Sequence, residues 1–109
     1  METITIKLPA GSLASRASAA PFRQQIQKAL NEGKTVLIDL SETEVISGSF
    51  ADECIGVLVK IYNFKTVATK IKLLNGNGFT ERSIVSAIIE RKNETTKVKT
   101  VSNFGFTTV

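Results

Sequence analysis

The densest set of chemically capable side chains is the run Ser47-Gly48-Ser49-Phe50-Ala51-Asp52-Glu53, in which two hydroxyls flank a glycine and two carboxylates follow within one turn. A hydroxyl just ahead of an apolar periodic segment caps a helix by accepting a backbone N–H. Carboxylates in the first turn complement the positive end of its dipole. On this reading Ser49 is the N-cap, accepting from the N–H of Asp52. An exposed serine at a helix start is also where a kinase can add phosphate, whose charge the helix terminus attracts and Asp52 and Glu53 repel. Ser47, Gly48, Ser49, Asp52 and Glu53 are therefore the candidate partner-binding or phosphoacceptor residues.

Other chemistries lack their parts. The chain has 109 residues with no His and one Cys, which removes Ser-His-Asp and Cys-His catalysis, an intrachain disulfide and the common zinc spacings. Cys54 lies in an apolar periodic segment and reads as a small core residue in a reducing compartment. Asp39, Asp52 and Glu53 meet no metal-ligand spacing. Gly76-Asn77-Gly78 lacks the third glycine and the Lys-Ser/Thr pair of phosphate loops, so it reads as a turn. The expectation is a protein with no catalytic residue, no metal and no cofactor. Apolar runs are only a few residues long and Met1-Glu2-Thr3 opens without a basic-plus-hydrophobic leader, so a cytoplasmic location without membrane contact is expected.

The formal net charge of +4 is unevenly spread: residues 1–59 carry five basic and seven acidic groups, residues 60–109 nine and three. Residues 35–59 hold Asp39, Glu42, Glu44, Asp52 and Glu53 with no Lys or Arg, an acidic island in a basic chain. Such a face repels nucleic acid. The alternative of a nucleic-acid-binding accessory domain rests on Lys60, Lys65, Lys70, Lys72, Arg91, Lys92, Lys97 and Lys99. Six Phe and one Tyr, mostly at core spacing, and the lack of a recognition-helix pattern make it the lesser reading.

The elements that must position these residues follow from hydrophobic period. Residues 3–8 alternate as a half-buried strand. Residues 18–32 form an amphipathic helix with Phe22, Ile26, Ala29 and Leu30 inward, Pro21 in its first turn and Gly33 as its stop, and a start near Ser15 is left open. Residues 35–40 read as a central strand covered on both faces. Residues 50–64 carry two adjacent apolar stripes, a face broad enough to be wedged between sheet and helix, with homodimerisation left open. A strand at 70–74, a turn, a helix at 81–92 opening on Thr80, and a candidate edge strand at 97–101 complete the chain, leaving Phe104-Gly105-Phe106 unplaced. This order implies a single α/β domain, a small mixed sheet with a largely parallel centre packed by about three helices. The carboxyl ends of parallel strands share one rim, so Asp39, Asn75, Gly76 and Gly78 should lie beside the Ser47–Glu53 run as a secondary rim. Arg16 is assigned a structural role, pairing with a carboxylate around Asn31–Thr35 or Glu42–Ser49.

Thr35-Val36-Leu37-Ile38-Asp39-Leu40-Ser41, then Val45-Ile46-Ser47-Gly48-Ser49-Phe50-Ala51-Asp52-Glu53, with Ser15-Arg16-Ala17-Ser18-Ala19-Ala20 upstream, resembles the STAS-like domain family of uncharacterised function. The resemblance spans residues 12–92, and it extends in fold to the bacterial anti-anti-sigma factors. It implies a non-enzymatic α/β domain that docks a protein partner, often an ATPase-type kinase of the anti-sigma class, and that in the best understood branch is switched by serine phosphorylation. In that branch the target serine follows an aspartate, whereas no aspartate precedes Ser47 or Ser49 here.

Overall fold

The computed structural model describes residues 2–104, with side chains described through residue 94. β1 (Thr3–Lys7), β3 (Thr35–Asp39) and β5 (Ile71–Leu74) form a parallel sheet in the order β1-β3-β5. The β-branched 35–40 run takes the middle, as its apolar character requires. A second, two-stranded parallel sheet joins β2 (Gly11–Leu13) to β4 (Thr43–Ile46). Hydrophobic pattern does not reveal these two strands, because three and four residues show too few alternations to register a period.

Register places Ile4, Ile6, Val36, Ile38, Ile71 and Leu73 on one face of the main sheet. There the helices pack, and Val36 and Ile38 are fully buried. On the opposite face Thr3, Thr5, Lys7, Lys72 and Leu74 are exposed and Leu37 is half-buried. The expectation of cover on both faces is thus corrected: Thr and Lys at alternate positions of the flanking strands make this face wettable, so no second helical layer is needed.

Helix α1 (Arg16–Asn31) takes the earlier of the two starts, near Ser15 rather than at residue 18, with Ser15 accepting the Ser18 N–H at 3.1 Å. Pro21 therefore lies inside the helix, where it removes one i→i−4 bond. The helix stops as read: Gly33 takes φ +77°, its N–H donates to Leu30 and that of Lys34 donates to Ala29, the paired bonds of a glycine-terminated end. The broad apolar segment is continuous but not uniformly α-helical. α2 (Gly48–Ala51) passes into a π-helical turn (Asp52–Gly56) and then α3 (Val57–Ile61). This segment packs between α1 and α5, burying Phe50, Cys54, Ile55, Leu58 and Val59. The segment is wedged, but between two helices rather than between sheet and helix.

The helix read through residue 64 ends at Ile61. Asn63 then accepts the Thr66 N–H at 2.7 Å to cap a short additional helix, α4 (Phe64–Lys70). α5 (Phe79–Phe104) begins two residues before the expected start and runs past the expected end at Lys92, so the candidate strand at 97–101 is helical. No Gly or Pro occurs between Gly78 and Gly105. With no breaker, adding residues to an existing helix is favoured over nucleating a new edge strand. Gly105 and Phe106 lie outside the described residues.

Candidate functional site

The rim geometry starts from where β4 ends. The Ser47 N–H donates to the Leu13 carbonyl at 2.8 Å, which extends the pairing of β4 with β2 by one bond. The chain turns helical immediately afterwards. Ser47 Oγ accepts the Phe50 N–H at 3.1 Å and donates to the Ala14 carbonyl at 2.7 Å. Ser47 is therefore the N-cap, and the expectation that Ser49 caps the helix is corrected. The apolar period pointed two residues too far because Gly48 and Ser49, the first helical residues, are exposed and carry no periodic signal. The Ser49 side chain instead lines a cleft of about 710 Å³ between the start of α2 and the middle of α5, together with Arg16, Gly48, Asp52 and Arg91.

Asp52 and Glu53 do not form a free acidic face. Asp52 is 9% exposed, and Arg91 grips it with two parallel bonds, Nε to Oδ1 at 2.8 Å and Nη2 to Oδ2 at 2.7 Å. Arg16 Nη1 adds a third at 2.8 Å to Oδ2 and approaches Glu53 Oε1 at 3.4 Å, while Arg23 pairs with Glu53 Oε2. Two carboxylates thus join α1, the π turn and α5. Forked guanidinium–carboxylate pairs are the stronger kind of charged hydrogen bond, and fixed orientation follows from their two-point geometry. Arg91 bonding holds the Asp52 carboxyl below the usual carboxylate range; burial opposes this and Arg16 reinforces it. Gly56 completes the arrangement, since a Cβ there would stand 2.5 Å from Asp52 Oδ1 and 3.3 Å from Ala87.

Arg16 pairs with carboxylates of the π turn, Asp52 and Glu53, rather than in either region named for it. Sequence reasoning gives Arg23 no role and offers Arg91 only as a cation for nucleic acid. Their signal was positional: Arg91 completes the i, i+3, i+4, i+7 stripe Ile84-Ala87-Ile88-Arg91, and an arginine on an inward stripe needs a carboxylate to face.

Of the secondary rim, Asp39 and Asn75 meet, and the bonds of this turn run to β3 and β4. Asp39 Oδ1 accepts the Ser41 N–H at 2.9 Å and Asn75 Nδ2 at 3.2 Å, and the Ser41 bond, followed by Asn75, lowers its pKa. Asn77 Nδ2 donates to the Glu44 carbonyl at 2.9 Å, tying this turn to β4. The helix start is set by Asn77, whose Oδ1 accepts the N–H groups of Phe79 and Thr80, and by Glu81, which accepts from Gly78 N–H at 2.7 Å. Thr80, expected as the cap, is instead fully buried. Gly78 (φ +92°) turns the chain, and a Cβ at Gly76 would strike the Glu81 carboxylate.

Chemically, the rim can hold and present groups, but its ionisable members are poorly suited to proton transfer. Asp52 is kept ionised by arginines, and burial pushes the Cys54 thiol up to about 12. Among the described residues no three His, Cys, Asp or Glu side chains gather to hold a metal, and no helix is long and apolar enough to cross a membrane. Of the cations considered for nucleic acid, Arg91 is committed to Asp52 and Lys92 stacks its ammonium 4.2 Å from the Phe64 ring. The Lys97 and Lys99 side chains lie outside the described ones.

Neither the curated proteins nor the solved structures give a match to this chain. A family model described as a STAS-like domain of unknown function matches residues 18–78, from within α1 to the turn that opens α5. That span holds Asp52 and both serines, with Arg16 and Arg91 just outside it. With more than half of its length matched, the chain belongs to this family of STAS-like domains.

Proposed function

We propose that the protein is a cytoplasmic, non-catalytic regulatory module that docks a protein partner across the cleft between α2 and α5, with Ser49 as the phosphoacceptor that switches docking. The observation that carries this reading is the contrast between the two serines. Ser47 Oγ is occupied by Phe50 and Ala14, whereas Ser49 is exposed on the cleft beside Arg16 and Arg91. A phosphate on Ser49 adds roughly −1.5 to −2 charge to a cleft that already holds Asp52, Glu90 and Glu94. It competes with those carboxylates for Arg16, whose side chain is half exposed. The resemblance of this sequence in fold to the anti-anti-sigma factors is what suggests an ATPase-type kinase as the partner.

Charge reversal at Asp52 tests folding rather than docking, because it strips Arg91 and Arg16 of their partner. Ser49→Glu is the better probe, with Gln25→Glu on exposed α1 as a control of equal charge change. In affinity capture from the native host, a protein retained by wild type and Gln25→Glu and lost with Ser49→Glu supports the reading. Equal recovery by all three baits contradicts it.

A further inference from the structure

The opposite side of α5 leaves a surface that the described chain does not cover. α5 packs on α2, the π turn, α3 and β4, whereas α4 packs on α3 and β5. A groove of about 250 Å³ opens between α4 and α5, with Phe64 and Val67 on one wall, Leu73 in the floor and Val85, Ile88 and Ile89 on the other wall. Val85 and Ile89 stand one helical turn apart and are 45% and 46% exposed. Exposed apolar side chains arranged along a groove, rather than scattered singly, mark an interaction surface.

Charge around the groove selects its occupant. Lys65 stands on α4, which supplies one wall, Lys60 stands on α3, against which α4 packs, and residues 54–80 carry no carboxylate. The three acidic residues of the second half are engaged elsewhere: Glu81 folds back on Gly78, and Glu90 and Glu94 line the Ser49 cleft. A second copy of this chain, meeting the first about a two-fold axis, would bring the same cationic wall against itself. An acidic partner meets no such repulsion, and an apolar stripe at i, i+3, i+4 and i+7 suits a groove whose own exposed anchors are spaced i, i+4.

We propose that the groove between α4 and α5 docks an amphipathic helix of a partner protein whose apolar stripe is flanked by carboxylates. This surface uses neither Ser49 nor the arginine cluster, so it stands independently of the rim reading.

The test uses the full chain with labelled Ile, Leu and Val methyls and two designed helical peptides that share one leucine stripe, one bearing Glu and the other Lys on its polar face. The Glu peptide is expected to give saturable NMR shifts centred on Val85, Ile88, Ile89 and Leu73, with affinity at least about tenfold above the Lys peptide. Ile89→Asp, at an exposed position, should cut that affinity about tenfold while the methyl spectrum away from the groove stays unchanged. Lys65→Glu should weaken the Glu peptide and strengthen the Lys peptide. Equal binding of both peptides, shifts centred elsewhere, or no saturable shift overturns the proposal. So does a peptide-free dimer, or binding to anionic vesicles, that perturbs these same methyls.

Discussion

The two sides of α5 are built on opposite terms. Towards the start of α2, Arg91 meets Asp52 in a forked pair and Arg16 and Arg23 complete the neutralisation, so a region dense in charge is internally matched. Towards α4, Val85 and Ile89 face solvent, Lys65 stands on the helix across the groove, and residues 54–80 carry no carboxylate. The acidic island so conspicuous in the sequence is largely adhesive between helices, and what remains available at the rim is a neutral hydroxyl. Charge density along a chain therefore says little about docking until the counter-charges are located in space.

Removing one partner of the matched cluster gives the largest effect. Asp52→Ala leaves Arg91 and Arg16 facing an empty site and should destabilise the fold by about 3 kcal/mol in urea denaturation. A loss under about 0.5 kcal/mol, the size of an ordinary surface substitution, would erase the distinction between the two sides of α5. The same carboxylate sets a pH dependence. Its folded pKa is lowered, so its contribution is fully present above the unfolded carboxylate value of about 3.9 and is lost as pH falls through the lower folded value. Asp52→Asn should flatten that acid limb of the stability curve.

Gly56→Ala should cost about 1–3 kcal/mol by pushing the Asp52 carboxylate off Arg91 and crowding Ala87. Because the clash is with that carboxylate, the cost should shrink when Gly56→Ala is combined with Asp52→Ala; strict additivity would mean that Gly56 serves helix packing alone. At the small end, the serines separate. Ser47→Ala removes a cap and the bond to Ala14 and should cost about 1–2 kcal/mol, whereas Ser49→Ala should fall within about 0.5 kcal/mol of wild type. Equal costs would remove the basis for treating them differently.

What was legible in the sequence was whatever repeats. Period-two and period-3.6 patterns located β1, β3, β5, α1, the broad second helix and the start of α5, and parallel order brought Asn75 to Asp39. Features set by single contacts were not legible. The β2–β4 pair is too short to show alternation, Ser47 becomes the cap because β4 docks on Leu13, and the Asp52–Arg91 pair closes across 39 positions of chain. The missing strand at 97–101 has a similar origin: Lys97-Val98-Lys99-Thr100-Val101 alternates, but a helix already running through Lys92 meets no Gly or Pro to stop it.

The central claim is that the hydroxyl of Ser47 belongs to the fold and that of Ser49 to regulation. Phosphopeptide mapping of the protein isolated from its native host, across several growth conditions and with full coverage of residues 43–60, tests it most directly. The account predicts phosphate on Ser49 and an unmodified Ser47. Phosphate on Ser47, or a peptide that is unmodified under every condition, would contradict it.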